Sequence, residues 1–256
     1  MHRVWRLAWI ACLIVTGSGA FAAELTRADV QSMLSSAPAA QGANFTGRSL
    51  AGLDLRDLDF TNANLSGANL SDADLRGAKL VAAKLVAANL TRAQLNLAWI
   101  MRADFSRADL SNADLETLVV SAGMETRPQE AASFVGANLS GAKVMARFTL
   151  DDMRGADLSG LRASADMRNQ SMGLIRADFS QANLVGASFK GASLAYAAFE
   201  FAKLANADFS GADLTHVDFA GADLTGANFT GAKTIGASFA SATLNGAKGL
   251  TIPPSR

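Results

Sequence analysis

The sequence predicts an all-β solenoid in which the chain turns once every five residues. Three observations carry that prediction. From Ala177 to Leu244 one phrase returns without a break, as Ala177-Asp178-Phe179-Ser180-Gln181, then Ala182-Asn183-Leu184-Val185-Gly186, and onward. Every fifth residue is Phe or Leu except Thr234, and the residue two before it is Ala except at Val217. Glycine recurs at one place in the phrase, as in Gly186, Gly191, Gly211 and Gly221, where a turn needs backbone freedom.

A period of five fits neither regular element. In an α-helix, residues five apart lie about 140° from one another, so the Phe/Leu series would spiral round the cylinder. In a continuous strand an odd period throws successive Phe/Leu residues onto opposite faces. One short extended side followed by a corner lets the large residue and the Ala both point inward. The other three positions then face water.

The tandem Ala-(Asp/Asn)-(Leu/Phe)-X-X phrase resembles the pentapeptide-repeat family, and the resemblance runs from Ala43 to about Ala247. It implies a right-handed quadrilateral β-helix with four repeats, hence 20 residues, per coil. Under that geometry the strict alternation from Phe179 to Phe229 puts Phe on two opposed walls and Leu on the other two. Phe179, Phe199, Phe219 and Phe239 should form one ladder at the spacing of neighbouring strands. The interior implied is filled, so no internal pocket is expected.

Residues 1–22 read as a signal peptide. Arg3 and Arg6 give the positive start, Leu7 to Val15 the apolar run, and Ala20-Phe21-Ala22 the small-x-small cleavage site. The run is far shorter than the roughly 20 residues that span a bilayer, so no membrane span is expected after cleavage. Cys12 lies inside the run without a lipoprotein cleavage context. The expected destination is export, to a Gram-negative periplasm given the short leader, with secretion beyond it as the second choice.

Cleavage at that site removes the sole cysteine and one of the two histidines. It leaves 21 of the 23 basic residues against 23 acidic ones. No disulfide framework is available. Near-neutral charge argues against a nucleic-acid binder, which would show a basic face, and weakens an acidic DNA-mimic reading.

Residues 23–42 form the N-terminal cap segment. Thr26 and Asp29 make a capping box, and Val30, Met33 and Leu34 fall at helical spacing before Pro38. A short helix covering the open end of the coil is predicted, because that end exposes unpaired backbone and apolar interior.

Residues 43–120 form the first repeat block, sixteen repeats centred on Phe45, Leu50, Leu55, Phe60 and onward in fives. The fourth face departs from the polar rule: Val81, Trp99, Met101 and Val119 stand where other faces carry Asp, Asn, Ser or Thr, with Leu97 round the corner. Two readings compete for these five residues. The following insertion folds back and buries Trp99, or the face is an apolar patch that binds an envelope protein or a second copy. The first is preferred, since an irregular segment follows immediately and needs a surface.

Residues 121–176 are irregular. Ser121 to Ser133 breaks the phrase, with Gly123 and Pro128, and the repeat resumes at Phe134 out of phase, which requires looped-out residues. From Met145 to Ile175 the phrase is degenerate, and a distorted coil or a second loop is expected. Met124, Met145, Met153, Met167 and Met172 gather here. Five methionines in an exported chain suit a soft-metal Cu(I) site, but Met153 and Met172 take inward positions where Met fills gaps.

Residues 177–247 form the second block, with fourteen centres from Phe179 to Leu244, and residues 248–256 the C-terminal tail. Tyr196 and His216 both follow a centre by two residues and lie 20 apart, so they should stack; Phe201 takes the same place on the next side. These three make a second candidate patch. Family resemblance implies end-to-end dimers through C-terminal coils, which Pro253 and Pro254 oppose.

Catalysis finds little support. One histidine and no cysteine in the exported chain exclude Cys-His sites and multi-His zinc sites. His216 and Asp218 could hydrogen-bond, yet no nucleophile elbow or paired-carboxylate cleft accompanies them. No catalytic, metal or cofactor residue is assigned. The reading is an exported, non-catalytic interaction rod. The alternative, raised by the resemblance, is a DNA-mimicking gyrase-binding protein, and the third is a metal-dependent enzyme built on His216.

Overall fold

The computed structural model describes residues 25–38, 41–122, 126–165 and 176–250. The leader, Met124, Met167, Met172, Pro253 and Pro254 lie outside the described residues. Over the rest, the chain winds into a four-walled β-helix. The walls are numbered here by the first centres they carry: Phe45 on the first, Leu50 on the second, Leu55 on the third and Phe60 on the fourth. Parallel bridges join residues 20 apart on every wall, as in Asn44↔Asn64, Ser49↔Asn69, Asp54↔Asp74 and Asp59↔Lys79.

Each repeat closes the same way. The Ala amide donates to the carbonyl of the preceding centre, as Ala63 N–H does to Phe60 at 2.9 Å. The residue before the centre caps the turn after it: Asp178 Oδ1 accepts from Ser180 N–H at 2.9 Å, and Asn64 Oδ1 from Ser66 N–H at 3.1 Å. That recurrent turn bond explains the preference for Asp and Asn there.

The interior is the predicted column of Phe, Leu and Ala. Phe179, Phe199, Phe219 and Phe239 stack on the fourth wall with centroids 4.9, 5.2 and 5.3 Å apart, and Phe189, Phe209 and Phe229 stack opposite them. The two columns touch edge to face across the rod, as Phe189 and Phe199 do at 5.4 Å, the favourable arrangement for ring quadrupoles.

Helix α1 (Arg27–Ser36) covers the N-terminal end with the predicted capping box. Val30 is fully buried, and Met33 and Leu34 pack against the core. Arg27 adds a contact that helical spacing does not reveal. Its guanidinium donates to the carbonyls of Asp54 at 2.6 Å and Arg56 at 2.9 Å, edge groups that have no preceding coil to accept from.

The middle region is more regular than its sequence. Strand β1 (Asp114–Glu116) pairs in parallel with β2 (Lys143–Met145) on the third wall. Bridges on either side, such as Asp104↔Ser133, span 29 residues instead of 20, so the first insertion loops out nine. The next coil runs through Phe148, Met153, Leu158 and Ala163, all buried. Its bridges span 19 residues, as in Ser133↔Asp152, because the side between Val144 and Phe148 is one residue short. Bridges such as Arg147↔Asp178 then span 31, which places a second insertion of eleven residues between Ala165 and Ala177.

Candidate functional site

Both insertions border the fourth wall. The first leaves it after Val120, carries the short 3-10 helix η1 (Pro128–Glu130), and returns at Ala132 on the first wall. The second opens at the corner between the third and fourth walls. Among the described bridges none joins Val119 to Arg147, so the fourth-wall ladder is interrupted at this height alone. A cleft of about 520 Å³ lies there, lined by Arg147, Thr149, Arg176, Asp178 and Glu200 among others, with Arg176 paired to Glu200 at 3.4 Å.

The first candidate patch is only partly as expected. Bridges Lys79↔Trp99 and Trp99↔Val119 place Trp99 and Val119 in one column of the fourth wall, and the Ala82 amide bonded to the Met101 carbonyl sets Val81 beside Met101. The insertion does not bury Trp99, which is 39% exposed, and Leu97 at the corner is 58% exposed. It closes instead on the far side of the wall, where Glu130 C=O accepts from Arg102 N–H at 2.9 Å and Met101 is buried. Val81 and Val119 are half-buried. The expectation that Trp99 is covered is therefore corrected, and Met101 leaves the exposed set. The insertion is tied too close to its own return to reach across the wall.

In the second patch Tyr196 and His216 stack as predicted, centroids 4.9 Å apart and ring planes at 21°. Phe201 is 65% exposed on the opposite corner of the same wall. His216 makes no hydrogen bond to Asp218 among the described residues; Asp218 Oδ1 accepts from Ala220 N–H at 2.9 Å, the ordinary turn bond. Ile235, whose carbonyl accepts from His216 N–H, is 73% exposed and extends this patch, a residue that sequence reading passed over.

The two patches share an edge. Backbone bonds from Gly77 to Asn96, Thr117 to Met145, Ala165 to Ala195 and Tyr196 to Thr215 follow one corner down the rod. Leu97 and Tyr196 sit on that corner four coils apart, about 19 Å at strand spacing. Leu97, Tyr196, Phe201 and His216 all adopt positive φ, from 56° to 67°. That left-handed region is uncommon for bulky side chains, and most such corners elsewhere carry Gly, Asn or Asp.

The acidic residues do not converge. Asp54, Asp74 and Asp152 are held below the ordinary carboxylate range by hydrogen bonds from Arg56, Arg76 and Arg154, and Asp72 by Arg92. These are pairs on convex walls. No group of three or more metal-binding side chains occurs among the described residues.

A family model for pentapeptide repeats matches the chain in 8 copies, over residues 41–77, 68–106, 78–116, 174–211, 192–231 and 222–248. The chain belongs to the pentapeptide-repeat family. Among solved pentapeptide-repeat structures it is similar to HetL, a protein involved in heterocyst differentiation regulation from the cyanobacterium Nostoc sp. strain PCC 7120. That match has 24% identity and a TM-score of 0.51, covering 88% of this chain and 97% of that one. QnrB1, a plasmid-mediated fluoroquinolone resistance protein, aligns at 21% identity over 78% of this chain and 83% of its own, with a TM-score of 0.30. Rfr23 from the cyanobacterium Cyanothece 51142 aligns at 20% identity over 55% and 86%, with a TM-score of 0.31. Curated protein sequences contain no match. The family match and the likeness to HetL establish the pentapeptide-repeat fold, and function is argued from this chain's own residues.

Proposed function

We propose that this pentapeptide-repeat protein is an exported, non-catalytic rod that binds another envelope protein, or a second copy of itself, along its fourth wall. The observation that carries the reading is the exposure of Leu97, Trp99 and Phe201 on the wall that both insertions border. Large apolar side chains at outward positions cost solubility and do nothing for the filled interior, and a partner that covers them removes that cost. The leader composition supports export, and no described helix is long and apolar enough to cross a membrane.

The test is proximity labelling in intact cells with wild type and Trp99→Asp, with cell fractionation in parallel. The reading expects the protein in the exported fraction and one specific protein captured by wild type and lost in the folded variant. An uncleaved cytoplasmic protein, or capture indifferent to Trp99, overturns it.

A further inference from the structure

Asp151 occupies a place that the fold reserves for a small apolar residue. Along the first wall the inward position before each centre is filled by Ala63, Ala83, Ala103, Ala132, Ala182, Ala202 and Ala222, and Asp151 falls in that column between Ala132 and Ala182. It is 2% exposed, the one buried charged residue in the described chain.

Its carboxyl group repairs a specific defect. Every neighbouring Ala amide in the column donates to the carbonyl of the preceding centre, as Ala103 does to Ile100 at 2.9 Å and Ala182 to Phe179 at 3.1 Å. Ala132 has no preceding centre, because the residue three before it is Gln129 in η1. Asp151 Oδ1 takes that amide instead, at 2.8 Å, and so ties the returning insertion to the coil below. The other oxygen, Oδ2, is buried with no partner.

That arrangement favours the neutral acid. Burial pushes the Asp151 carboxyl up to about 7, opposed only by the Ala132 amide. The charged groups on the walls that meet there face outward. Asp152 pairs with Arg154, Glu130 accepts from Arg127 N–H and the Ser121 hydroxyl, and Arg147 and Lys203 are exposed.

We propose that Asp151 is a protonation-controlled latch: the neutral carboxyl holds the 126–132 return against the first wall, and the ionised carboxylate reaches water by releasing Ala132. Met101 is buried where the same return is bonded at Arg102, so release uncovers Met101 beside Trp99 and widens the apolar face. The latch stands whether or not that face binds a partner.

The test is amide hydrogen exchange on the whole folded protein between about pH 4.5 and 8, corrected for intrinsic rates. With the carboxyl ionising near its ordinary value when released and near 7 when held, protection of the Ala132 amide falls up to about tenfold per pH unit below 7 and levels off above it. Ala63, whose acceptor is the Phe60 carbonyl, shows no such slope. In Asp151→Asn, which keeps the acceptor and removes the charge, Ala132 stays protected at every pH. In Asp151→Ala it is unprotected at every pH. A flat wild-type profile, the same slope in Asp151→Asn, or Ala63 and Ala132 moving together would each overturn the latch.

Discussion

The ring of Phe201 lies over the α-carbon of Gly221, one coil on, so closely that a methyl group there would stand 2.5 Å from two ring carbons. His216 covers Gly236 in the same way. Phe201 and His216 are thus built into the wall, each with a glycine on the next coil that makes room for its ring, whereas the corner after Tyr196 carries His216, on which it stacks.

Gly221→Ala therefore has two costs, a side chain at φ 68° and a collision with Phe201. Gly47→Ala, at φ 65° with nothing within 4 Å, has the first alone. Denaturant unfolding should show Gly47→Ala losing about 1 kcal/mol and Gly221→Ala about 2 to 3 kcal/mol. Adding Phe201→Gly should bring the second close to the first.

Replacing Leu97 or Phe201 with Gly separates binding from stability. Each sits at positive φ, where Gly is unstrained, so the folded rod should hold its stability within about 1 kcal/mol. Labelling of the partner should fall sharply in both. A large loss of stability would show that these side chains are structural.

Stability against pH should peak near pH 4 to 5. The lowered aspartates, Asp72, Asp74 and Asp152 among them, contribute stability present above the ordinary carboxylate range and lost as pH falls through it. Asp72 is exposed and Asp74 and Asp152 are only half-buried, so solvent screening keeps that acid limb shallow. Asp151 acts in the opposite sense: its raised value gives stability that is full at low pH and declines, by roughly 1.4 kcal/mol per pH unit at most, until pH reaches about 7. Thermal melts of Asp151→Asn should lack the decline between pH 5 and 7.

Val217 is fully buried at a position that is otherwise Ala throughout the second block. It stands two residues before the Phe219 centre in the column of Ala177, Ala197 and Ala237, and Val217→Leu should cost roughly 1 to 3 kcal/mol by overpacking. Urea midpoints would check this, with no change expected in the far-ultraviolet spectrum.

The architecture was legible because one residue type per position repeats over so many coils. The slip at Phe134 is legible as broken spacing and the stretch from Met145 as a degenerate phrase, yet the structure of the second is not. The same slip can mark a distorted coil or a regular one with a shortened side, and only the bridge partners of Ser133 and Asp152 decide. The stacking of Tyr196 on His216 is legible from a 20-residue interval alone. The exposure of Trp99 is not, because the sequence does not show where an insertion closes; that depends on the Arg102 to Glu130 bond. The role of Asp151 is not legible either. Its neighbour Met153 reads as a centre, but a carboxyl group in an alanine slot makes sense only once the Ala132 amide is seen to lack its carbonyl.

The fourth wall is the proposed working surface. Photo-crosslinking in living cells, with the probe placed singly at positions 97, 99 and 201 on that wall and its corners and at 89 and 210 on the opposite wall, tests it most directly. One shared adduct is expected from the first three positions and none from the other two. Adducts from both walls alike, or from the second wall only, would contradict it.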